Sequence, residues 1–291
     1  MKQVTIAAIV LTKNEEPDLP ACLESLEGLA AEVYVVDSGS TDRTVAVAVE
    51  HGARVLSHPF ANHAAQFNWA LDNVPSAAAW VLRIDADERI GDRLRKALAT
   101  VLREAPGDVT GFEMARRIRF LGRELRYGDT YPVWLLRVWR RGEGRCEDTW
   151  MDEHIVLRQG KVRRVQGDLI HDIPKDLTEW TAKHNWYASR ECQDITSHEA
   201  AAALEGQAGT KRWLKQNVYL RFPLFYRAMF YWFYRYFLKL GFLDGRQGLV
   251  YHFLQGFWYR FLVDAKLYEA GAGSRRSAGD RARSPERVPS R

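Results

Sequence analysis

Two carboxylates stand two positions apart at Asp85-Ala86-Asp87, with Glu88 directly after them. They close an apolar run, Trp80 to Ile84, that reads as a buried β-strand. A strand ending this way delivers its carboxylates to the carboxyl edge of a sheet, where open α/β sheets bind their ligands. Paired carboxylates suit a hard divalent cation, which takes oxygen ligands and commonly also holds substrate phosphates. That chemistry is a metal–diphosphate site. The same residues also suit a solvated acidic turn opening the next helix, and the spacing alone leaves both readings open.

The elements that must position these residues follow from apolar periodicity and turn signals. Strands are expected at Val4–Leu11, Glu32–Asp37, Arg54–Ser57 and Trp80–Asp85. Helices are expected between them at Leu19–Glu27, Asp42–His51 and Asn62–Asn73. Such alternation predicts an α/β fold with a doubly wound, mostly parallel sheet. A helix over Arg89–Glu104 and strands over Gly111–Phe120 and Trp134–Arg140 follow, then a helix over Leu177–Glu205. Gly206 to Thr210 reads as a joint, so residues 1–210 form the expected catalytic domain. Two aromatic-rich amphipathic helices, Lys211–Leu240 and Gly245–Ala270, make up a region 211–270. The Arg-, Ser-, Gly- and Pro-rich tail 271–291 has the composition of a disordered segment.

In a parallel sheet the loops after strands one, two and four share one edge. That edge would gather Thr12–Glu15, Asp37–Asp42 and Asp85–Glu88. Asp37 ends an apolar strand, where its carboxylate can accept a hydrogen bond from a base or ribose; it is equally an ordinary turn former before Ser38-Gly39-Ser40. No Gly-x-Gly-x-x-Gly follows strand one, which argues against a dinucleotide cofactor, and no Gly-Lys-Ser/Thr phosphate loop is present.

Charge is unevenly spread over the 291 residues. Residues 1–210 carry 26 Lys/Arg against 32 Asp/Glu, whereas residues 211–243 carry seven Lys/Arg and no acid, and the tail adds six Arg against two acids. The basic balance of the chain therefore belongs to its C-terminal part and suggests an anionic surface as partner. Cys22, Cys146 and Cys192 have no metal-binding spacing and fit a reducing cytosol. The N-terminus has only Lys2 before its apolar run and no small-residue cleavage site, so it reads as a first strand.

Leu11-Thr12-Lys13-Asn14-Glu15, Asp37-Ser38-Gly39-Ser40-Thr41-Asp42, Gln66-Phe67-Asn68-Trp69-Ala70 and Asp85-Ala86-Asp87-Glu88 together resemble the family 2 glycosyltransferases. Within that family they look most like bacterial enzymes of the lipopolysaccharide-core glucosyltransferase type. Order and spacing match over the first part of the chain, and weaker matches continue to Gly241-Phe242-Leu243-Asp244-Gly245. The resemblance implies a GT-A fold, a nucleotide-diphosphate-sugar donor with a UDP-hexose favoured, Mg²⁺ or Mn²⁺, and inversion at the anomeric carbon. By that matching Thr12, Asn14, Glu15 and Asp37 contact the nucleoside, with Gln66 and Asn68 also on the donor side. Asp85 and Asp87 face ribose, metal and diphosphate.

An inverting transfer needs a base to take the proton of the attacking hydroxyl, while a metal steadies the leaving diphosphate. The base must lie across the sugar from the metal, so it comes from a separate acidic segment. Met151-Asp152-Glu153-His154 is the best placed, with Glu153 ahead of Asp152 and Glu147-Asp148 as a further possibility. His171 stands where GT-A enzymes often add a histidine to the metal shell; a hydrogen-bonded core histidine is the plainer reading. Arg137 and Arg140-Arg141 before Gly142 suggest a basic loop closing over the diphosphate, or a solvated turn.

Twelve aromatic residues fall between Trp213 and Phe237, interrupted by basic ones. No uncharged run reaches the length that spans a bilayer, and the mixture suits a membrane–water interface or an acceptor-binding region, the plainer readings being a helical subdomain packed on the sheet or a dimer interface. Single-stranded nucleic acid also favours basic aromatic grooves, but the net acidic residues 1–210 argue against it. The expectation is an enzyme peripheral to the cytoplasmic face of a bacterial inner membrane, moving a hexose to a lipid-linked glycan. The alternatives are a sugar-nucleotide pyrophosphorylase, whose triphosphate-binding loop Thr12–Pro17 lacks, and a membrane-docking protein on a catalytically inactive sheet.

Overall fold

The computed structural model describes residues 5–147, 154–173, 176–197, 219 and 222–283. The chain forms two compact units, residues 1–175 with 239–248, and residues 176–238 with 249–291. The division differs from the joint expected at Gly206–Thr210. It falls ahead of the helix beginning at Leu177, because that helix packs through Ala188 on Tyr259 and Val263.

In the first unit, β1 (Ile6–Thr12), β2 (Glu32–Asp37), β3 (Arg54–Ser57) and β4 (Trp80–Asp85) are mutually parallel, ordered β3-β2-β1-β4. They are linked by α1 (Leu19–Leu26), α2 (Thr44–Glu50) and α3 (His63–Asn73). Beyond β4 the sheet continues through β8 (Val133–Arg140), β6 (Val109–Phe120), β11 (Lys161–Asp172) and β5 (Glu88–Ile90). β8 is antiparallel to both β4 and β6, so β6 and the parallel β11 run with the first four strands. Thr12, Asp37, Asp85 and Asp172 therefore finish on one edge. The fold is the α/β, doubly wound and mostly parallel sheet that the alternation predicts.

Both faces of the sheet are covered, which is why its central strands are apolar throughout. Ala8, Val10, Leu82 and Ile84 face Leu19, Leu23 and Leu26 of α1 and Leu94, Leu98 and Leu102 of α4 (Asp92–Arg103). Ala7, Ile9, Tyr34 and Val36 face Phe67, Ala64 and Ala70 of α3. The period-two division of β1 between these layers is the pleat of a strand.

Several elements depart from the sequence expectation. Arg89 and Ile90 leave the expected helix Arg89–Glu104 and join Glu88 in β5, antiparallel to β11, and α4 starts only at Asp92. Strand β11 was not expected, since its first residues alternate polar side chains on an exposed surface. The short β7 (Arg123–Glu124) pairs with β6, and β9 (Gly144–Cys146) pairs with β10 (Ile155–Leu157) as a separate ribbon.

One glycine sets the phase of β11. The pairing of β11 with β6 shifts register between Arg164 and Asp168, and Gly167 sits in that bulge with φ +105°. A Cβ there would lie 2.4 Å from the backbone nitrogen of Leu94, so only glycine lets the bulge pass over the start of α4. Beyond the bulge, Leu169, Ile170 and His171 pair with Ile90, Arg89 and Glu88. That register sets His171 opposite Glu88.

Residues 239–248 return to the first unit because buried Asp244 accepts the backbone N–H groups of Arg126 and Tyr127.

The second unit holds α5 (Leu177–Ser197), α6 (Tyr226–Phe233) and α8 (Tyr259–Arg283), with α7 (Gly245–Tyr251) shared between the units. The helix expected over Lys211–Leu240 is interrupted in its described part. Pro223 precedes Phe225, whose φ of +70° keeps helical geometry from starting before Tyr226. Wide π-type turns continue α6 over Tyr234–Leu238 and join α7 to α8 over His252–Trp258. The last helix runs past Gly271 to Arg283, into the tail whose composition suggested no order, as propagation adds a hydrogen bond per residue to an established helix. Among the described residues no helix is long and apolar enough to cross a membrane.

Candidate active site

Strand β4 carries Asp85 to the common edge, and the turn into β5 sets Asp87 and Glu88 beside it. Glu88 is fully buried, and its carboxylate closes the turn by accepting the backbone N–H of Asp85 at 3.1 Å. A buried carboxylate needs a partner, and Arg137 of β8 supplies it. The Arg137 guanidinium donates to Glu88 at 2.7 Å and to Asp85 at 2.8 Å. Arg83 stands 3.9 Å from Asp85 on its other oxygen.

Burial pushes Asp85 upward, but Arg137 and Arg83 outweigh it and hold the carboxyl well below the usual range. Burial raises Glu88, with Arg137 opposing. Burial alone would lower Arg137; its two carboxylate partners hold it firmly charged. Asp85 keeps 41% of its side chain exposed while Glu88 keeps none. The arginine thus pre-ionises one carboxylate that faces solvent and anchors one that does not.

The sequence suggested Arg137 for a flexible loop over the diphosphate. The structure corrects this: Arg137 is 6% exposed within β8, its charge committed to Asp85 and Glu88. Arg140 likewise stays in the strand and donates to the carbonyl of Val109. A lone arginine inside the apolar run Val133–Trp139 was the available signal, since buried arginines are nearly always paired. Arg137→Met is expected to destabilise the fold by about 3–5 kcal/mol in urea unfolding, because it strands the Glu88 charge in the interior. A loss under about 1 kcal/mol would show that Glu88 needs no counter-charge.

Asp87 is placed differently. Its carboxylate lies 3.7 Å from Nε2 of His171, whose Nδ1 is 4.0 Å from Glu88 and makes no hydrogen bond. Among the described residues no three His, Cys, Asp or Glu side chains converge as a ready metal cluster. The pair Asp87 and His171 still fits a divalent cation of the kind that takes one or two protein ligands and completes its shell with phosphate and water. Asp85, expected as a further ligand, is turned to Arg137 instead.

The remaining expected residues build the neighbouring ridge. Asp37 accepts from Thr12 Oγ1 at 3.1 Å, from Ser40 Oγ at 2.5 Å, and from the backbone N–H groups of Gly39 and Ser40 at 2.9 Å each. These bonds use the roughly four acceptor positions of a carboxylate. Asp37 therefore shapes the loop, and a ribose hydroxyl would have to displace one of them. Asn14, with φ +54°, donates its N–H to Ser40 Oγ and accepts Thr41 N–H on Oδ1, each at 2.8 Å. Glu15 donates its N–H to Thr44 Oγ1. Gln66 is fully buried and bridges Ser38 Oγ, the His58 ring and the His58 carbonyl. Asn68 is not part of the carboxylate cluster: its amide clamps the backbone of Cys146, donating at 2.8 Å and accepting at 2.9 Å. Asp152 and Glu153 lie outside the described residues; their flanks, Glu147 and His154, are joined by a 2.8 Å backbone hydrogen bond.

Asp37 also gives a pH signature. Burial raises its pKa, but the bonds from Ser40, Thr12 and Gly39 overcome this and hold it below the usual range. A depressed native pKa contributes stability that is complete well above the unfolded value of about 3.9 and vanishes as pH falls through the native value. Asp37→Asn should therefore cost about 2 kcal/mol at pH 7, and the gap from the wild type should close below about pH 4 in denaturant melts. A gap independent of pH would refute the ionised role.

Residues 7–155 match the family model described as glycosyl transferase family 2. The chain is 30% identical over 280 residues to the lipopolysaccharide core biosynthesis glycosyltransferase LpsC of Rhizobium meliloti (strain 1021), covering 93% of this chain and 94% of that protein. This chain belongs to glycosyl transferase family 2. The family 2 chain is also 25% identical to an uncharacterized glycosyltransferase of Rickettsia felis, over 91% of this chain and 90% of the relative. A solved glucosyl-3-phosphoglycerate synthase from Mycobacterium tuberculosis, in complex with Mn²⁺, UDP and glucosyl-3-phosphoglycerate, overlaps 40% of this chain and 44% of its own, at 26% identity and TM-score 0.33. In this family 2 glycosyltransferase the Asp85-Ala86-Asp87 turn falls within the matched residues 7–155 and follows the carboxyl end of β4.

Proposed function

We propose that this glycosyltransferase moves a hexose from a nucleotide-diphosphate sugar, favouring UDP, to a lipid-linked glycan, with inversion at the anomeric carbon. The product would be lipopolysaccharide core or a related surface polysaccharide, made on the cytoplasmic face of a bacterial inner membrane. Family membership and the near full-length likeness to a protein named for lipopolysaccharide core biosynthesis support this reading.

The observation that carries it is the carboxylate pair split by Arg137. Asp85 is ionised and fixed, whereas Asp87 is left to His171 at the open edge. Asp87 and His171 are the residues that would hold Mg²⁺ or Mn²⁺, and the ion would neutralise charge on the departing diphosphate. The hydrogen-bonded ridge of Thr12, Asn14, Glu15 and Asp37 offers a preorganised wall for the nucleoside. An open cleft of about 600 Å³, lined by Gly122, Arg123, Tyr127 and Leu243 just beyond the end of β6, is where the acceptor glycan would be sought. A carboxylate of the Asp152-Glu153 segment would take the acceptor hydroxyl proton.

The test is release of UDP from UDP-hexoses by the purified protein with Mn²⁺, with and without a deacylated core oligosaccharide. Acceptor-dependent release supports the reading. Failure to turn over any nucleotide sugar with any glycan would contradict it.

A further inference from the structure

The helix α6 and its π-type continuation are built inside out. Tyr226, Met229, Phe230, Phe233, Phe237 and Leu238 follow one another at helical spacing, and all are 42% to 65% exposed. The opposite face is buried and holds Arg227 and Arg235. Arg227 is locked onto Asp264 of α8, whose carboxylate also accepts the backbone N–H of Phe225 at 2.7 Å. A helix on a water-facing surface carries its apolar stripe inward and its charges outward. Here charge is satisfied within the unit and the large apolar side chains are presented to the surroundings. Stripes of this size mark interaction surfaces.

We propose that this inverted face docks on an anionic lipid bilayer, with the helix lying in the headgroup region. Three observations choose lipid. Residues 226–238 reach only about 20 Å at 1.5 Å per residue, short of the roughly 30 Å hydrocarbon core; the helix lies on the membrane and does not cross it. The stripe combines Phe and Leu with tyrosine, the mixture suited to an interface that is apolar on one side and wet on the other. Over residues 206–263 the sole acid is Asp244, which is buried, so that although Arg227 and Arg235 are turned inward and Arg260 is held by Glu191, the segment presents no exposed carboxylate toward anionic headgroups. This proposal rests on a face that the sugar-transfer site does not use, and it stands or falls apart from the donor assignment.

The full-length protein, sedimented with vesicles of phosphatidylglycerol and phosphatidylethanolamine, should partition into the pellet at low salt and bind pure phosphatidylcholine at least tenfold more weakly. The triple variant Phe230→Ser, Phe233→Ser, Phe237→Ser should lose at least tenfold in vesicle binding while keeping its thermal midpoint within a few degrees. The double variant Phe230→Trp, Phe233→Trp should bind as well as the wild type or better, which separates loss of docking from loss of fold. Wild-type protein remaining in the supernatant, or a triple variant that binds undiminished, would overturn the proposal. A wild-type dimer by light scattering that the triple variant dissolves, without vesicle binding by either, would assign the face to a second copy of the chain and also overturn it.

Discussion

Asp87→Ala is expected to lower sugar transfer by about 10³-fold or more while leaving the protein folded. Neutralising a departing diphosphate supplies several kcal/mol to the transition state, and each 1.36 kcal/mol is about tenfold in rate. The structural side of the prediction is as sharp. Asp87 shares its turn with Asp85 and Glu88, and its charge helps to raise the carboxyl of Glu88. Removing it relieves repulsion, so the melting midpoint should hold or rise. A site that costs stability and supplies chemistry behaves in this way. Full activity in this variant would remove Asp87 from the reaction, and a collapse of the midpoint would make it a structural residue.

The second large effect is expected at the acceptor side. Glu153→Gln should lower kcat by about 10²–10⁴-fold, the range for loss of a general base, and Asp152→Asn should cost less. The described flanks are held: Asn68 of α3 clamps Cys146, Glu147 is bonded to His154, and β9 pairs with β10. The decisive readout is the acid limb of the pH–rate profile for kcat/KM, which should vanish in the variant that has lost the base. Normal rates in both variants would move the base elsewhere.

The half of the sheet built from β1 to β4 was legible because β1, β2 and β4 are largely buried on both faces, and a doubly buried strand reads as a nearly unbroken apolar run. Asp85 and Asp87 were visible for the same reason, as polar residues at the end of such a run. What decides between them was not visible. Arg137 lies 52 residues from Asp85 in sequence, and only the antiparallel insertion of β8 beside β4 brings it there. His171 could be nominated from the sequence but not placed, since its position depends on the bulge at Gly167 and on a strand with an exposed, alternating start. The composition of the aromatic-rich helices suggests an interface. Which side faced outward depended on Asp264 drawing Arg227 inward, a pairing no periodicity reveals.

The central claim is that Asp87 and His171, completed by a diphosphate, hold a divalent cation at the end of β4. Calorimetric titration of UDP into the protein with and without Mn²⁺ tests it most directly. The account predicts that Mn²⁺ tightens UDP binding by about 100-fold in the wild type, equivalent to about 2.7 kcal/mol, and that this gain disappears in Asp87→Ala. Equal Mn²⁺ enhancement in wild type and variant would contradict it.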